Sequence, residues 1–260
     1  MLNKSTSYFL EGHSTYSVNL SDENASSFLL QNNSNVTLDL ELSSKKNDIY
    51  FNLGQNSNLT LRIIIKHPIE SVNLHANVSR GTEFNIFIAD FFKNSISFKS
   101  IVDLDEENAS SSFHLGVLSK NNENKNYDIS FNHKVGKTYS ELDAYGVSKD
   151  SSMIKINGTS HILKDSVKAN ANQKAKVIVF DETAKAIANP ILKIDCNDVV
   201  AKHACAIGSL KDEHVYYLLS RGISLKEARN LITLGYLLPI SKHFSKEDEE
   251  IIIELIEWEF

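Results

Sequence analysis

The chain changes its pattern of apolar and polar residues near residue 210. Before that point, short segments alternate apolar with polar residues and are separated by Asn, Ser, Asp and Gly. A period of two residues is typical of half-buried β-strands. The clearest of these segments are VTLDLEL, DIYFNL, LTLRIIIKH, SVNLHANV, EFNIFIADF, SISFKSIVDL, SSFHLGVL and YDISFNH. The pattern therefore predicts a body built almost entirely of strands.

The strand segments also repeat over a longer period. Asn33-Ser-Asn-Val-Thr-Leu returns as Asn56-Ser-Asn-Leu-Thr-Leu. Repeats of about 20 residues are typical of solenoids, in which each strand stacks on its equivalent one coil earlier and small polar residues occupy the corners. A strand spacing of about 10 residues also suits a β-sandwich. We favour a β-helix, with the sandwich as the alternative.

Helical signals begin at about residue 210. Apolar residues there recur three and four positions apart, as one face of a helix requires. The pattern predicts a first helix over residues 211–220 that ends before Gly222, because glycine commonly follows a last helical turn. A second helix begins with a capping box at Ser224 and stops at Pro239. Ser245 is placed to cap a third helix.

We therefore predict two domains, a β domain over residues 1–209 and a helical domain over residues 210–260. Two of the predicted helices carry an apolar stripe. The second carries Leu225, Ala228, Leu231 and Ile232, and the third carries Ile251, Ile252, Leu255, Ile256 and Trp258. Two interpretations are open: the helices cover the open end of the stacked coils, as a solenoid requires, or they form a docking surface for a partner.

Composition and charge exclude several classes of function. The net charge is −6, and the last sixteen residues carry seven acidic residues and one lysine, so no basic surface for nucleic acid is expected. No segment approaches roughly 18 uninterrupted apolar residues and no signal peptide is recognisable. We expect a cytoplasmic protein, or one of an organelle matrix, with no membrane partner. No Gly-x-x-x-x-Gly-Lys-Ser/Thr phosphate loop occurs, and both cysteines are expected to be thiols.

One stretch, residues 188–222, holds both cysteines, Cys196 and Cys205, and also His203. It resembles the C-terminal signature of the SufB/SufD family, and within that family SufD, a scaffold subunit of the Suf iron–sulfur cluster assembly machinery. The residues that match the signature are Pro190, Leu192, Ile194, Asp198, Val199, His203, Gly208, Leu210, Tyr217, Leu218, Arg221, Gly222 and Ile223. Looser similarity extends back to about Asn132.

The resemblance implies a mainly β fold, a right-handed parallel β-helix with a C-terminal helical cap. It also implies a non-catalytic scaffold subunit, with a transient iron–sulfur cluster shared with a partner and no permanently bound cofactor. The implied partners are a SufB-like paralogue and SufC, an ABC-type ATPase that binds the C-terminal helices and hydrolyses the ATP. The residues we assign to the ATPase contact are Tyr217, Leu218, Arg221, Gly222, Ile223, Leu225, Ala228, Leu231 and Ile232.

The candidate chemistry lies in the same stretch, because thiolates and imidazoles are the side chains that hold iron–sulfur units. The resemblance places His203 at the family histidine implicated in cluster building at the contact with SufB. Cys205 lies two positions along the predicted strand and so on the same face. The family cysteine lies nearer Ala201, which makes Cys205 the weaker candidate. A full metal site needs about four ligands, so the site is expected to be shared between subunits.

Alternative interpretations remain at this point. A buried, hydrogen-bonded histidine and buried small thiols would be the simpler roles for these side chains. SufB carries a cysteine in an upstream strand and a glutamate after the signature histidine, whereas this chain has Lys174 and Ala204 there, which favours SufD. A SufB-like or homodimeric scaffold stays open. So does a carbohydrate-active β-helix, which would need paired carboxylates at a groove; Asp195 and Asp198 are the nearest pair.

Overall fold

A computed structural model of the chain describes residues 6–22, 25–210 and 212–257. Two parallel sheets of eight strands each dominate these ranges. Sheet A contains β1 (Thr6–Leu10), β3 (Ser26–Leu30), β5 (Lys46–Leu53), β7 (Ser71–Val78), β9 (Ile96–Leu104), β11 (Asn124–His133), β13 (Met153–Ile162) and β15 (Lys185–Ile194). Sheet B contains β2 (His13–Leu20), β4 (Asn35–Leu42), β6 (Asn58–Ile64), β8 (Glu83–Asp90), β10 (Ser110–Ser119), β12 (Tyr139–Ser148), β14 (Asn170–Val179) and β16 (Val200–Ser209).

Successive strands alternate between the two sheets, so two strands make one coil of a solenoid. Within each sheet, a strand pairs in parallel with the strand two positions away in the sequence. Lys125 of β11, for example, lies opposite Ile96 of β9 and Ile154 of β13. The predicted parallel β-helix is therefore confirmed. The sandwich alternative is wrong, because a sandwich is built from antiparallel sheets.

The period of two in the sequence reflects the two faces of each strand. In β11, buried residues such as Tyr127 and Ile129 point into the solenoid and alternate with more exposed ones. Aromatic rings at equivalent inward positions stack along the axis. Tyr8 lies 4.7 Å from Phe28, and Phe28 lies 5.0 Å from Phe51, measured between ring centroids. The interior is thus a column of side chains in which each coil covers the one before it.

Asparagines form successive turns at one corner of the solenoid. Asn33 and Asn56, the first residues of the sequence repeat, have φ angles of 57° and 53°. Asparagine tolerates this left-handed conformation better than most residues that carry a β carbon. The N–H of Asn33 donates to the carbonyl of Gln55 at 2.9 Å, and the N–H of Asn56 donates to that of Arg80 at 2.8 Å. The sequence repeat therefore marks corners that hydrogen-bond to one another.

Three α-helices follow the last strand: α1 (Asp212–Leu219), α2 (Leu225–Leu237) and α3 (Lys246–Glu257), with a 3₁₀ turn (Leu238–His243) between the last two. The predicted capping box is present. Ser224 Oγ accepts the N–H of Glu227 at 3.3 Å, and Glu227 Oε2 accepts the N–H of Ser224 at 3.0 Å. Trp258, which the sequence placed on the third helix, lies outside the described residues.

The helices pack against the side of the solenoid. A second core joins Ile64, Ala89, Phe91, Leu118, Val147 and Phe180 of the β body to Leu237, Ile252 and Ile256 of the helical region. Gly116 of β10 permits this close approach, because a β carbon there would lie 3.0 Å from Phe91 Cζ and 3.2 Å from Ile240 Cγ2. The interpretation that the helices merely cover the open end is therefore wrong. They form a lateral cap on sheet B.

The boundary between strands and helices lies close to residue 210, since β16 ends at Ser209 and α1 begins at Asp212. The helices share a core with sheet B, so the division into two domains stays a prediction. Within the described ranges, no helix has the length and apolar character that crossing a membrane requires.

Candidate functional site

The last coil, formed by β15 and β16, leaves the C-terminal end of the solenoid open. β15 is the edge strand of sheet A, and β16 is the edge strand of sheet B. Large apolar side chains on these two strands are exposed by 37% to 48%; they are Ile187, Ile191, Ile194, Val200 and Ile207. Ile194 and Ile207 are the inward-facing members of this set, and their register partners in the preceding coil, Ile162 and Val177, are buried. The difference arises because no further coil of the described residues stacks on the last one.

Alternate residues of β15 direct their backbone N–H groups towards the open edge. The N–H of Lys185 donates to Ser152 O of the preceding coil at 2.8 Å, and the N–H of Asp195 donates to Ile162 O at 2.9 Å. Because N–H groups alternate in direction along a strand, the odd-numbered residues bond β13 and the even-numbered residues face outward. Pro190, which has no N–H, is one of the residues whose backbone nitrogen faces the open edge, and edge strands tolerate proline at such positions.

In β16, the even-numbered residues bond the neighbouring strand and the odd-numbered residues face the open edge. The N–H of Val200 donates to Ala169 O and the N–H of Leu210 donates to Val179 O, each at 2.9 Å. The even-numbered residues therefore bond sheet B, and the odd-numbered residues, His203 among them, present free backbone groups at the edge. Among the described residues, two rows of backbone donors and acceptors without a strand partner thus flank the open end, a template for pairing with another chain.

His203 and Cys205 point inward over the open end. They lie in register with Gln173 and Ala175 of β14, whose side chains are buried in the solenoid. Side chains two residues apart on a strand share a face and are separated by about 6.6 Å along it. Both His203 and Cys205 are exposed, and the thiol of Cys205 lies 3.6 Å from the carbonyl oxygen of Ala188, across the coil on β15. The predicted shared face is therefore present, and His203 is not a buried core histidine.

Gln173 lies next to His203 at the equivalent inward position of the preceding coil. The sequence analysis did not identify this residue. Its side chain is 4% exposed, and its amide nitrogen donates to Ser160 Oγ at 2.8 Å and to Ile191 O at 3.2 Å. The inward position of the strand upstream of His203 thus holds an amide that ties the two sheets together. Lys174, next to it, points outward and contacts Asp143 at 3.3 Å and the hydroxyl of Tyr145. A polar residue at an inward position of an otherwise alternating strand was the available signal.

The second cysteine lies apart from this face. Cys196 is buried in a small core with Ile162, Ala169 and Ala171, as a small apolar side chain would be. Both cysteines are free thiols. Among the residues that the structure describes, no group of three or more His, Cys, Asp or Glu side chains could hold a metal ion. At the open end, the described residues thus offer the imidazole of His203 and the thiol of Cys205 on one face of β16.

The residues assigned to a partner on the helices divide into exposed and buried ones. The exposed apolar ones are Tyr217, Leu225 and Leu231. Together with Tyr216 and Leu219, which the sequence analysis did not assign, they are exposed by 41% to 74%, and we call these five residues the exposed apolar surface. The guanidinium of Arg221 lies 5.0 Å from the ring centroid of Tyr217. Gly222 has a φ of 84°, the left-handed conformation that ends α1.

The other assigned residues support that surface from below. Ala228 is fully buried, and Leu218, Ile223 and Ile232 are partly buried. These four side chains hold α1 and α2 in place and offer little area for contact. The stripe predicted for the second helix thus splits, with Ala228 and Ile232 facing the protein and Leu225 and Leu231 facing outward.

Comparison with known proteins yields a family model that matches most of the chain and relatives that align with about half of it. A family model described as "SUF system FeS cluster assembly, SufBD core domain" matches residues 14–236. The chain is 36% identical over 124 residues to the iron–sulfur cluster assembly protein SufD of Bacillus subtilis. It is 25% identical over 127 residues to an iron–sulfur cluster assembly SufBD family protein of Staphylococcus saprophyticus and 24% identical over 127 residues to one of Staphylococcus aureus.

These alignments cover part of each protein. The match to the Bacillus relative includes 48% of this chain and 28% of the relative. The matches to the two Staphylococcus relatives include 49% of this chain and 27% of the relatives. The chain therefore aligns with well under half the length of these relatives.

Proposed function

The chain belongs to the SufBD core family of the SUF iron–sulfur cluster assembly system, and on that premise we propose that it is a SufD-type scaffold subunit. In this proposal it pairs with a SufB-like paralogue and docks a SufC-type ATPase. The cluster is cargo, built at the contact between subunits, and ATP hydrolysis takes place in the ATPase. The 36% identity to a protein named SufD supports the choice of branch.

The open last coil is the observation that carries the pairing. Exposed edge strands invite association, and proteins usually protect them by short length, lysines, proline or bulges. β16 is ten residues long and contains a single lysine, Lys202, in the sequence VAKHACAIGS. Strand addition by a partner would satisfy its backbone groups and cover Ile194 and Ile207 at the same time. These features of the edge support pairing with a partner of similar architecture.

His203 is the side chain of this chain that we assign to the growing cluster. It lies at the open end, where a second subunit would meet the coil, and it is exposed to solvent before pairing. An imidazole replaces thiolate on iron in some clusters. One or two donors from this chain cannot complete a site of about four ligands, so the partner would supply the rest. Cys205 shares the face and is the second, weaker candidate.

The test of this assignment is anaerobic reconstitution of the complex with iron and a sulfur source. His203→Ala should leave folding and complex formation intact and reduce cluster content several-fold, because a nitrogen donor is lost with little packing. Cys205→Ser should reduce it only mildly. His161→Ala is the control, because this histidine lies partly exposed on the outer face of sheet A, where its ring contacts Asp195 at 3.1 Å. Visible absorption together with iron and sulfide content gives the readout.

Two outcomes would contradict the assignment of His203. A His203→Ala complex that accumulates clusters at the level of the unchanged complex would remove the residue from the site. Loss of clusters in Cys205→Ser alone would move the donor two residues along β16. Circular dichroism and the mass of the complex show whether a loss reflects misfolding.

The exposed apolar surface on α1 and α2 is where we place the ATPase. Two tyrosines and three leucines stand exposed there, and aromatic residues dominate the energetics of protein interfaces. Ala228 beneath them is fully buried, so the surface rests on a packed base. An ordered surface requires less side-chain ordering when a partner binds.

Tyr217→Ala tests this placement, because Tyr217 is 57% exposed and its ring lies 5.0 Å from the guanidinium of Arg221, another assigned residue. We expect the affinity for a SufC-type ATPase to fall at least about tenfold, or about 1.4 kcal/mol. Tyr50→Ala is the matched control, since Tyr50 is also an exposed tyrosine but lies on β5 of sheet A. Equal loss in both variants, or no loss in Tyr217→Ala, would count against the docking surface. Calorimetric titration measures both affinities.

A further inference from the structure

Two histidines meet where the helical region packs on sheet B. His114 lies on the outer face of β10, and His243 is the last residue of the 3₁₀ turn. Both line a cleft with a volume of about 290 Å³, together with Tyr145 of β12 and Tyr236 of α2. The two histidines are far apart in the sequence, so only the packing of the helical region on the solenoid brings them together.

Both imidazole rings stack on Phe87 of β8. The ring centroid of Phe87 lies 4.9 Å from that of His114 and 4.1 Å from that of His243, with angles of 11° and 14° between the ring planes. The two imidazole centroids are 5.6 Å apart. Because aromatic carbons approach to about 3.5 Å, imidazoles on opposite faces of Phe87 would have centroids about 7 Å apart. The two imidazoles therefore lie edge to edge on the same face of Phe87.

The nitrogens of these two rings are available to a ligand. Among the residues that the structure describes, neither ring has a hydrogen-bond partner. Burial lowers the pKa of His114, although Glu141 and Asp143 act in the opposite direction. Burial, and then the charges of His114 and Lys242, lower the pKa of His243. Both rings are therefore neutral near neutral pH, and a neutral imidazole is the form that binds metal ions.

The spacing of the two rings fits a shared metal ion. A tetrahedral Zn²⁺ bound at about 2.0–2.1 Å to one nitrogen of each ring would hold the ring centroids roughly 5 Å apart. The observed separation is 5.6 Å. An imidazole that turns over about its Cβ–Cγ bond exchanges nitrogen and carbon positions. Each ring can therefore present a nitrogen at the edge that faces the other ring.

The pair supplies two protein ligands, and water would complete the coordination. Asp143 lies opposite His114 on β12, but its carboxylate pairs with Lys174 Nζ at 3.3 Å. Gly235 of α2 also lines the cleft, and a β carbon there would meet no atom within 4 Å. The cleft thus has room for several water molecules, each of which occupies about 30 Å³. A site with open positions of this kind is expected to bind its ion reversibly.

We propose that His114 and His243 form a binding site for a divalent transition-metal ion of the kind that imidazole prefers, such as Zn²⁺. The ion would fasten the 3₁₀ turn to β10 and so hold the helical region on sheet B. The site is separate from the open last coil, because β10 lies three strands from β16 in sheet B and His114 points outward from the solenoid. It goes beyond the proposed role in cluster assembly and does not depend on it.

Zn²⁺ titrated into the full chain tests the site. We expect saturable binding by calorimetry, and the NMR signals of the His114 and His243 rings should shift together. The ion should also raise the melting temperature by several degrees, because it binds the folded state. His243→Gln removes one donor at an exposed position, so the affinity should fall at least tenfold and the rise in melting temperature should disappear. His67→Gln is the matched control, because this partly exposed ring contacts Glu41 at 2.9 Å instead.

Three results would overturn the site. The first is binding of Zn²⁺ that shifts the ring signals of His203 and leaves those of His114 and His243 unchanged. The second is equal affinity in His243→Gln and the unchanged chain, and the third is an equal loss in His67→Gln, which would indicate non-specific attraction. If His243→Gln fails to fold, His114→Gln removes the other donor and is expected to show the same tenfold loss. The test uses no partner protein, so its failure would leave the proposed function untouched.

Discussion

Inward-facing side chains are buried in a middle coil of this solenoid and exposed in the last coil. In the coil that contains β11, inward residues are fully covered, and even the charged Lys125 has no exposed surface. In the last coil, the inward residues His203, Cys205 and Ile207 are exposed. Strand geometry is the same in both. The difference shows that the next coil, and not the strand itself, decides whether an inward residue is buried or exposed.

The middle coil contains a buried charge that is fully compensated. Lys125 Nζ donates to Asp90 Oδ1 at 2.7 Å and to the carbonyl of Phe92 at 2.8 Å. The hydroxyl of Tyr127 donates to the other oxygen of Asp90, and burial together with that carboxylate raises the pKa of Tyr127 well above its usual value. Charged groups are tolerated in such an interior only when partners surround them.

Removing one member of that pair should have the largest effect on stability. Lys125→Ala leaves the carboxylate of Asp90 without its cation in a dry interior, so we expect a loss of about 3 to 5 kcal/mol in the free energy of unfolding. Lys193→Ala, which truncates an exposed lysine on the last coil, should change it by less than about 0.5 kcal/mol. Urea denaturation followed by circular dichroism measures both. Similar losses in the two variants would remove the contrast between the coils.

Much of this fold could be predicted because its rules are local. The alternation in SVNLHANV predicts strand β7 (Ser71–Val78) with its first and last residues correct, since inward and outward positions follow a period of two. The position of the helices could not be predicted in this way. A signal was present in EFNIFIADF, where Phe87 and Ala89 interrupt the alternation and are buried on the outer face. Continuous apolar runs indicate strands that are covered on both sides.

The second-largest expected effect is the pH dependence of stability that arises from a buried histidine in the covered part of the solenoid. His133 has no exposed surface, and its ring nitrogens lie 2.8 Å from Thr138 Oγ1 and from Ser140 Oγ. Burial lowers the pKa of His133 to about 4, whereas a histidine in an unfolded chain titrates near about 6.5. Between these pH values the unfolded state binds a proton that the native state excludes. Stability is therefore complete above about pH 6.5 and falls as the pH decreases towards about 4.

The expected loss from this residue over that range is on the order of 3 kcal/mol. Urea denaturation at several pH values between about 7.5 and 4.5 measures it. Burial also lowers the pKa of His114 and of His243, so part of the total slope has another origin. His133→Gln, which keeps a polar side chain that does not titrate, isolates the contribution. An unchanged slope in that variant would show that His133 is not the group responsible.

The candidate site could be predicted only in part. The spacing of His203 and Cys205 placed them on one face of a strand because side chains alternate. Their exposure could not be predicted, since it depends on which coil is the last. The contact between Lys125 and Asp90, separated by 35 residues in the sequence, gave no local signal either. Features that depend on stacking between coils are invisible to a pattern of neighbouring residues.

The prediction with the smallest expected effect concerns pairing at the open edge of β15. The N–H of Leu192 faces outward on β15, whereas the N–H of Lys193 faces β13 by the alternation described above. If the chain pairs through this edge as proposed, Leu192→Pro should weaken binding of the SufB-like paralogue about fivefold relative to Leu192→Ala, because one hydrogen bond of about 1 kcal/mol is lost. The isolated chain should stay folded, as the native Pro190 at an equivalent position indicates. Lys193→Pro removes a bond within sheet A and should destabilise the chain itself. Affinities from calorimetry and unfolding curves separate the two, and equal pairing by Leu192→Pro and Leu192→Ala would show that the partner does not extend this ladder at Leu192.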